Sequence, residues 1–157
     1  MLIVQKNMSS LLNLKILSIQ SNRLTRISGL SDLSNLEELY ISHNALPEIS
    51  GLHSNSKLRV LDISNNLISH LTNLKPLTNL EEVWASSNQI SSFEEVEKEL
   101  ADKKELSTVY FEGNPLQTRS PALYRNKVHL ALPQIKQIDA SMLQSPPLPH
   151  ASRMATS

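Results

Sequence analysis

The 157-residue chain has no cysteine, only three glycines, only six aromatic residues and no surplus of charge of either sign. Each shortage excludes something. Without cysteine there are no disulfides, no thiolate nucleophile and no cysteine-ligated zinc. Three scattered glycines, Gly29, Gly51 and Gly113, cannot build a glycine-rich phosphate loop, and no nucleophile elbow occurs. The five histidines, at 43, 53, 70, 129 and 150, lack metal-ligand spacing. Fifteen basic residues balance fifteen acidic ones, so the chain as a whole has no pull toward nucleic acid or anionic membrane. The apolar run Met1-Leu2-Ile3-Val4 is far shorter than the roughly 20 residues that span a bilayer, and no basic leader precedes it. The expectation is one domain of the nucleus or cytoplasm that is not an enzyme, uses no cofactor or metal, takes no small-molecule substrate and does not enter a membrane.

Leucine and asparagine, by contrast, are abundant at 27 and 13 residues, and both recur at fixed intervals. Asn22, Asn44, Asn66 and Asn88 stand 22 residues apart, and Asn114 follows after 26. Aligned on these asparagines, the first segment reads Leu14, Leu17, Ile19, Asn22, Leu24, Ile27, Leu30, and the second reads Leu36, Leu39, Ile41, Asn44, Leu46, Ile49, Leu52. The third and fourth keep the offsets, and the fifth keeps the first half: Leu106, Val109, Phe111, Asn114, Leu116. This is the L-x-x-L-x-L-x-x-N-x-L signature of a leucine-rich repeat. In L-x-L the alternation has period two, so a short strand sends both aliphatics inward and the residue between them outward. The Asn marks where the chain leaves the strand, and its amide satisfies backbone groups that lack a ladder partner. The expected fold is therefore an α/β right-handed solenoid, with short parallel strands on the concave face, 3-10 or α segments on the convex face, and a C-terminal cap.

Boundaries follow from the register: an incomplete N-terminal repeat over 1–12, five repeats over 13–116, a cap over 117–143 and a disordered tail over 144–157. Ser92-Phe93-Glu94-Glu95 has the form of a capping box, and Phe93, Val96 and Leu100 follow helical spacing toward Lys103 and Lys104. Ser120 and Pro121 occupy N-cap and N1 positions of a second helix that turns Tyr124, Val128, Ala131 and Leu132 to one face before Pro133 stops it. Ile135 and Ile138 echo the start of another coil. The tail, QSPPLPHASRMATS, has no periodicity. At the other end Gln5 stands where an aliphatic belongs, so either further repeats precede the chain or a partner covers Leu14 and Leu17.

Since the inward strand positions are committed to packing, recognition is read from the outward ones. Three of the six aromatics, Tyr40, Trp84 and Tyr110, fall in the central outward column. Every charged residue on this face is acidic: Glu38, Asp62, Glu82 and Glu112. Trp and Tyr framed by carboxylates form the anchor pattern of a protein interface that selects a basic partner surface. The competing reading is that the rings merely cover neighbouring strands by same-face pairing.

The strings LSIQSNRL, EELYISHNAL, LDISNN and EEVWASSNQI, with VYFEGNPLQ followed by YRNKVHLALPQIKQIDA, resemble the C-terminal half of the protein phosphatase 1 regulatory subunit 7 family over about residues 7–143. The NPLQ and YR…LP…ID elements belong to a cap shared by several repeat proteins, including the spliceosomal A-prime protein. The Trp of EEVWASSN and the Asp of LDISNN point to the phosphatase regulators. The resemblance implies a non-catalytic subunit that grips the phosphatase catalytic subunit with its concave face and affects its maturation and mitotic targeting. The contacts it implies fall on Asp62, Glu82, Trp84 and Tyr110. The family has more repeats than this chain, and its N-terminal contacts have no counterpart here. The short basic-x-Val-x-Phe docking peptide is absent too, since Arg59-Val60-Leu61 runs into Asp62. The alternatives are a ribonucleoprotein scaffold of the A-prime type, which would bind an RNA-recognition-motif protein, or a truncated protein-interaction adaptor. Nucleic acid is disfavoured by an acidic face that repels phosphates; the basic cluster Arg125, Lys127 and His129 lies on the cap helix instead.

Overall fold

The computed structural model describes residues 11–143. The expectations for residues 1–10 of the incomplete first repeat and for the tail from Gln144 lie outside the described residues.

Five three-residue strands repeat at the predicted positions: β1 (Ile16–Ser18), β2 (Glu38–Tyr40), β3 (Val60–Asp62), β4 (Glu82–Trp84) and β5 (Thr108–Tyr110). They pair in parallel and in strict register, so Leu17, Leu39, Leu61, Val83 and Val109 form one column. The last four are fully buried, as the period-two alternation demands of a strand's inward residue. Ile41, Ile63, Ala85 and Phe111 form a second buried column two residues on. Each coil thus hides its apolar side only against its neighbours, the defining economy of a solenoid. Leu14, Leu17, Ile19 and Leu24, in the first described coil, pack on this core but remain partly exposed. Among the described residues no helix is long and apolar enough to cross a membrane.

The asparagine column joins the coils. Asn66 shows the pattern: its Nδ2 donates to the carbonyls of Ile63 (3.0 Å) and Ser64 (3.2 Å) in its own coil and of Ile41 (3.1 Å) in the preceding one. Its Oδ1 accepts from the backbone N–H of Leu46 at 3.1 Å. Asn44 accepts from Asn22 and Leu24, Asn88 from Ile68, and Asn114 from Ile90, each reaching back one coil. One primary amide, with two donors and a two-lone-pair acceptor, thereby serves backbone groups of two successive turns. The residue before each ladder Asn adopts a left-handed backbone, with φ between 55° and 79° at Ser21, His43, Asn65, Ser87 and Gly113.

The convex side differs in part from expectation. Coils one to three return through isolated turns rather than 3-10 helices, held by single i to i−3 bonds such as Leu36 N–H to Leu33 O and Leu58 N–H to Asn55 O. Such segments are too short to propagate a helical ladder. Only the longer fourth coil holds a helix, α1 (Phe93–Leu100). Ser92 caps it through Glu95 N–H at 3.2 Å, but the reciprocal half of the capping box does not form. The Glu95 carboxylate turns instead to the preceding coil, bonding His70 Nδ1 at 2.8 Å and Leu71 N–H at 3.1 Å. Glu99 does the same for Leu74 N–H at 3.0 Å. Lys103, placed by the sequence near the far end of this helix, is only 2% exposed, and burial pushes its pKa below the usual lysine range.

Beyond β5 come α2 (Pro115–Thr118) and α3 (Pro121–Ala131). Helix α3 buries Tyr124, Val128 and Ala131 as predicted, yet the Ser120 hydroxyl does not cap it. The chain then adds β6 (Gln137–Ile138), parallel to β5, and closes with β7 (Ser141–Met142), antiparallel to β6. Asp139 assumes the role of a ladder residue here. Its Oδ1 accepts from Phe111 N–H (2.9 Å) and Glu112 N–H (3.0 Å), and its Oδ2 from the Tyr124 hydroxyl (2.9 Å).

Replacing Asn66 by Ala strands a buried donor at Leu46 and buried acceptors at Ile41 and Ile63, and is expected to cost about 2–4 kcal/mol in denaturant unfolding. The same change at Asn22, whose amide among the described residues donates only to Gln20 O at the rim, is expected to cost less than about 1 kcal/mol. Gly51 has φ +72°, and a Cβ there would lie 2.5 Å from the Ile27 carbonyl oxygen. Gly51→Ala should therefore lower stability by more than about 1 kcal/mol, measured the same way.

Candidate protein-recognition face

The outward positions of the strands converge on one patch. Tyr40, Asp62, Trp84 and Tyr110 occupy equivalent places on β2 to β5, so the register brings them side by side. The Trp84 ring meets Tyr40 and Tyr110 edge-on, with centroids 5.9 Å apart in both pairs and interplanar angles of 61° and 63°. These are the offset geometries that aromatic quadrupoles favour. Asp62 lies between Tyr40 and Trp84 in the register. Because the two rings meet across it, its residue is only 6% exposed. Its Oδ1 accepts from Ser64 N–H at 3.0 Å. The sequence reading treats Asp62 as an outward surface charge; the structure makes it the floor of the aromatic cluster. Val60, the outward residue two positions earlier on β3, is likewise buried.

Two carboxylates are tied to the rings. The Tyr40 hydroxyl donates to Glu38 Oε1 at 2.6 Å, and Trp84 Nε1 donates to Glu82 Oε2 at 2.8 Å. Both pairs join residues i and i+2 of one strand, which share a face. The bond to Glu38, followed by burial and the negative charges of Glu38, Glu82 and Asp62, pushes the Tyr40 pKa up to about 12. Glu38 and Glu82 are half-buried, and Glu112 is exposed at the rim beyond Tyr110. All seven residues selected from the sequence, Glu38, Tyr40, Asp62, Glu82, Trp84, Tyr110 and Glu112, therefore fall on one face. The rings also cover one another, so the same-face packing that the sequence left as the competing reading is present beside the exposed surface.

One participant is invisible to the outward-position rule applied to five coils. Gln137 Nε2 donates to the Tyr110 hydroxyl at 3.0 Å. The signal was present in the alignment of Ile138 on Val109, which puts Gln137 beside Thr108 on the same face. Chemically the patch offers carboxylates and ring edges but no nucleophile paired with a base. Among the described residues no group of His, Asp or Glu forms a set able to hold a metal ion.

The family model described as Leucine Rich repeats (2 copies) matches residues 12–52, 34–77 and 56–101. Among curated proteins, the chain is similar to protein phosphatase 1 regulatory subunit SDS22 of Schizosaccharomyces pombe, with 62% identity over 55 residues, 35% of this chain and 17% of that protein. It is also similar to protein phosphatase 1 regulatory subunit 7 of Danio rerio, with 52% identity over 46 residues, 29% of this chain and 13% of that protein. The matched part thus spans less than a fifth of these relatives' length. Both relatives carry the name of a regulatory subunit. Among solved structures, the Drosophila melanogaster SNF/U2A' complex contains a chain that superposes with a TM-score of 0.72 at 19% identity, over 83% of this chain and 75% of that one. At that identity the likeness establishes the fold alone.

The hydroxyl of Tyr40 is expected to titrate near pH 12 in a spectrophotometric titration, and Glu38→Gln should return it toward the ordinary value of about 10. Because the folded-state pKa is raised, the associated stability is present in full below pH about 10. It is lost as the pH climbs from there through about 12.

Proposed function

The chain belongs to the leucine-rich-repeat family, and on that premise we propose that it is a non-catalytic regulatory or scaffolding subunit that binds the protein phosphatase 1 catalytic subunit through its acidic and aromatic concave face. The observation that carries this reading is the interlocked array of Tyr40, Trp84 and Tyr110 framed by Glu38, Asp62, Glu82 and Glu112. Half-buried rings at the centre of a face supply large contact area at low conformational-entropy cost, since each has only two side-chain torsions to order. Carboxylates held by those rings present negative charge at fixed positions, which selects a basic partner surface and speeds encounter. Supporting the identity of the partner are the names of the relatives, which are phosphatase 1 regulatory subunits. Direct contact of this face with nucleic acid is disfavoured, because its acids repel a phosphate backbone.

Titration of purified phosphatase 1 catalytic subunit with the recombinant chain tests the proposal. Trp84→Ala should weaken binding by at least about 2 kcal/mol, as expected of a central aromatic anchor. Asp62→Asn keeps an oxygen for Ser64 N–H while removing the charge, and should weaken binding with little change in thermal stability. Affinity should fall as salt rises from low to physiological ionic strength. Saturable binding that neither variant reduces would place the interface elsewhere, and a folded wild-type chain that does not bind would refute the assignment.

A further inference from the structure

The recognition face and the C-terminal cap are joined by one continuous set of contacts. On β2 and β4 each ring is held by the carboxylate two residues before it, Glu38 for Tyr40 and Glu82 for Trp84. On β5 the residue two before Tyr110 is Thr108, which is not a carboxylate, and Thr108 pairs in register with Gln137 of β6. Gln137 supplies the missing anchor, donating from Nε2 to the Tyr110 hydroxyl at 3.0 Å and to Asp139 O at 2.8 Å. Asp139 is in turn held by Phe111 N–H, Glu112 N–H and the buried Tyr124 hydroxyl, which makes it the most heavily tied point of the cap.

We infer that Gln137 is a positioning residue of the recognition face: the cap, through Gln137, locks Tyr110 and with it Trp84 in the orientation offered to a partner. The inference rests on the reading of this face as partner-binding. Tyr110 meets Trp84 edge-on, and Trp84 meets Tyr40 in the same way, so a Tyr110 ring without its hydroxyl anchor leaves the terminal member of the row free to swing. Ordering that ring then becomes a cost of association, whereas a ring already held contributes its full contact area. The cap on this account does more than close the apolar end of the stack; it sets the geometry of the surface.

Trp84 is the chain's only tryptophan, so its fluorescence reports on the row directly. Four variants of the full chain are compared: Gln137→Ala, Tyr110→Phe, the two combined, and Gln137→Glu. Acrylamide quenching of Trp84 should rise in both single variants and in the combined one no further than in Gln137→Ala, because both substitutions remove the bond to the Tyr110 hydroxyl and Gln137→Ala in addition removes only the bond to Asp139 O. Gln137→Glu should bring the value back toward wild type, since a carboxylate can accept from the Tyr110 hydroxyl as Glu38 does from Tyr40, although it cannot donate to Asp139 O. Affinity for the phosphatase catalytic subunit should fall about threefold to tenfold in each single variant, the range of one neutral hydrogen bond, and recover in Gln137→Glu. Quenching unchanged by Gln137→Ala, or additive losses in the combined variant, would overturn the inference. If wild type fails to bind the phosphatase while the quenching cycle holds, the partner assignment is lost and the coupling of Gln137 to the row stands.

Discussion

The asparagine ladder is the constraint from which the rest of this structure follows. At the end of every strand the backbone must leave the sheet, and the groups it turns inward have no strand partner. A buried peptide group without a partner costs about 1–3 kcal/mol, so a solenoid without a remedy would lose that much at each coil. Asn supplies donors and an acceptor on a short side chain, and from Asn44 onward each ladder amide reaches from its own coil to the one before. The ladder deepens along the chain, from half-exposed Asn22 and Asn44 to Asn114 with no exposure at all. The strands can then be as short as three residues, because register is held at their ends as well as along their length.

Strict register has a consequence on the opposite face. When Tyr40, Asp62, Trp84 and Tyr110 stand in one row, rings two strands apart can close over the acid between them. Burying a carboxylate is expensive unless it is hydrogen-bonded, and Ser64 N–H provides such a bond to Asp62. The flanking acids are treated differently: Glu38 and Glu82 receive ring donors and stay half-exposed. The result is a face on which charge and aromatic surface are mutually ordered before any partner arrives.

Where the regular period breaks, carboxylates take over work that the ladder does elsewhere. The fourth coil, four residues longer than the others, holds α1, and Glu95 and Glu99 reach from it to the backbone N–H groups of Leu71 and Leu74. In the cap, Asp139 receives the N–H groups of Phe111 and Glu112 and also the Tyr124 hydroxyl, whose pKa is pushed well up by burial and by the charge of Asp139. At Asp139 an acid is suited because both its oxygens accept, one facing Phe111 and Glu112 N–H and the other the Tyr124 hydroxyl, where an amide would turn a donor nitrogen to one side.

The repeat, the strand positions, the inward columns and the composition of the outward face were all legible in the sequence, because period-two alternation and a 22-residue interval leave a backbone one way to stack. Helix α1 and the apolar face of α3 were legible for the same reason, since helical spacing is a local property. What the sequence by itself did not determine is which neighbour each polar group meets across coils. That Glu95 turns from its own N-cap to His70 and Leu71, that Lys103 is buried, that Asp62 lies under two rings and that Gln137 holds Tyr110 are distances between residues one or two coils apart, or consequences of them. Local propensity says nothing about such pairs; only the pitch of the stacked coils brings them together.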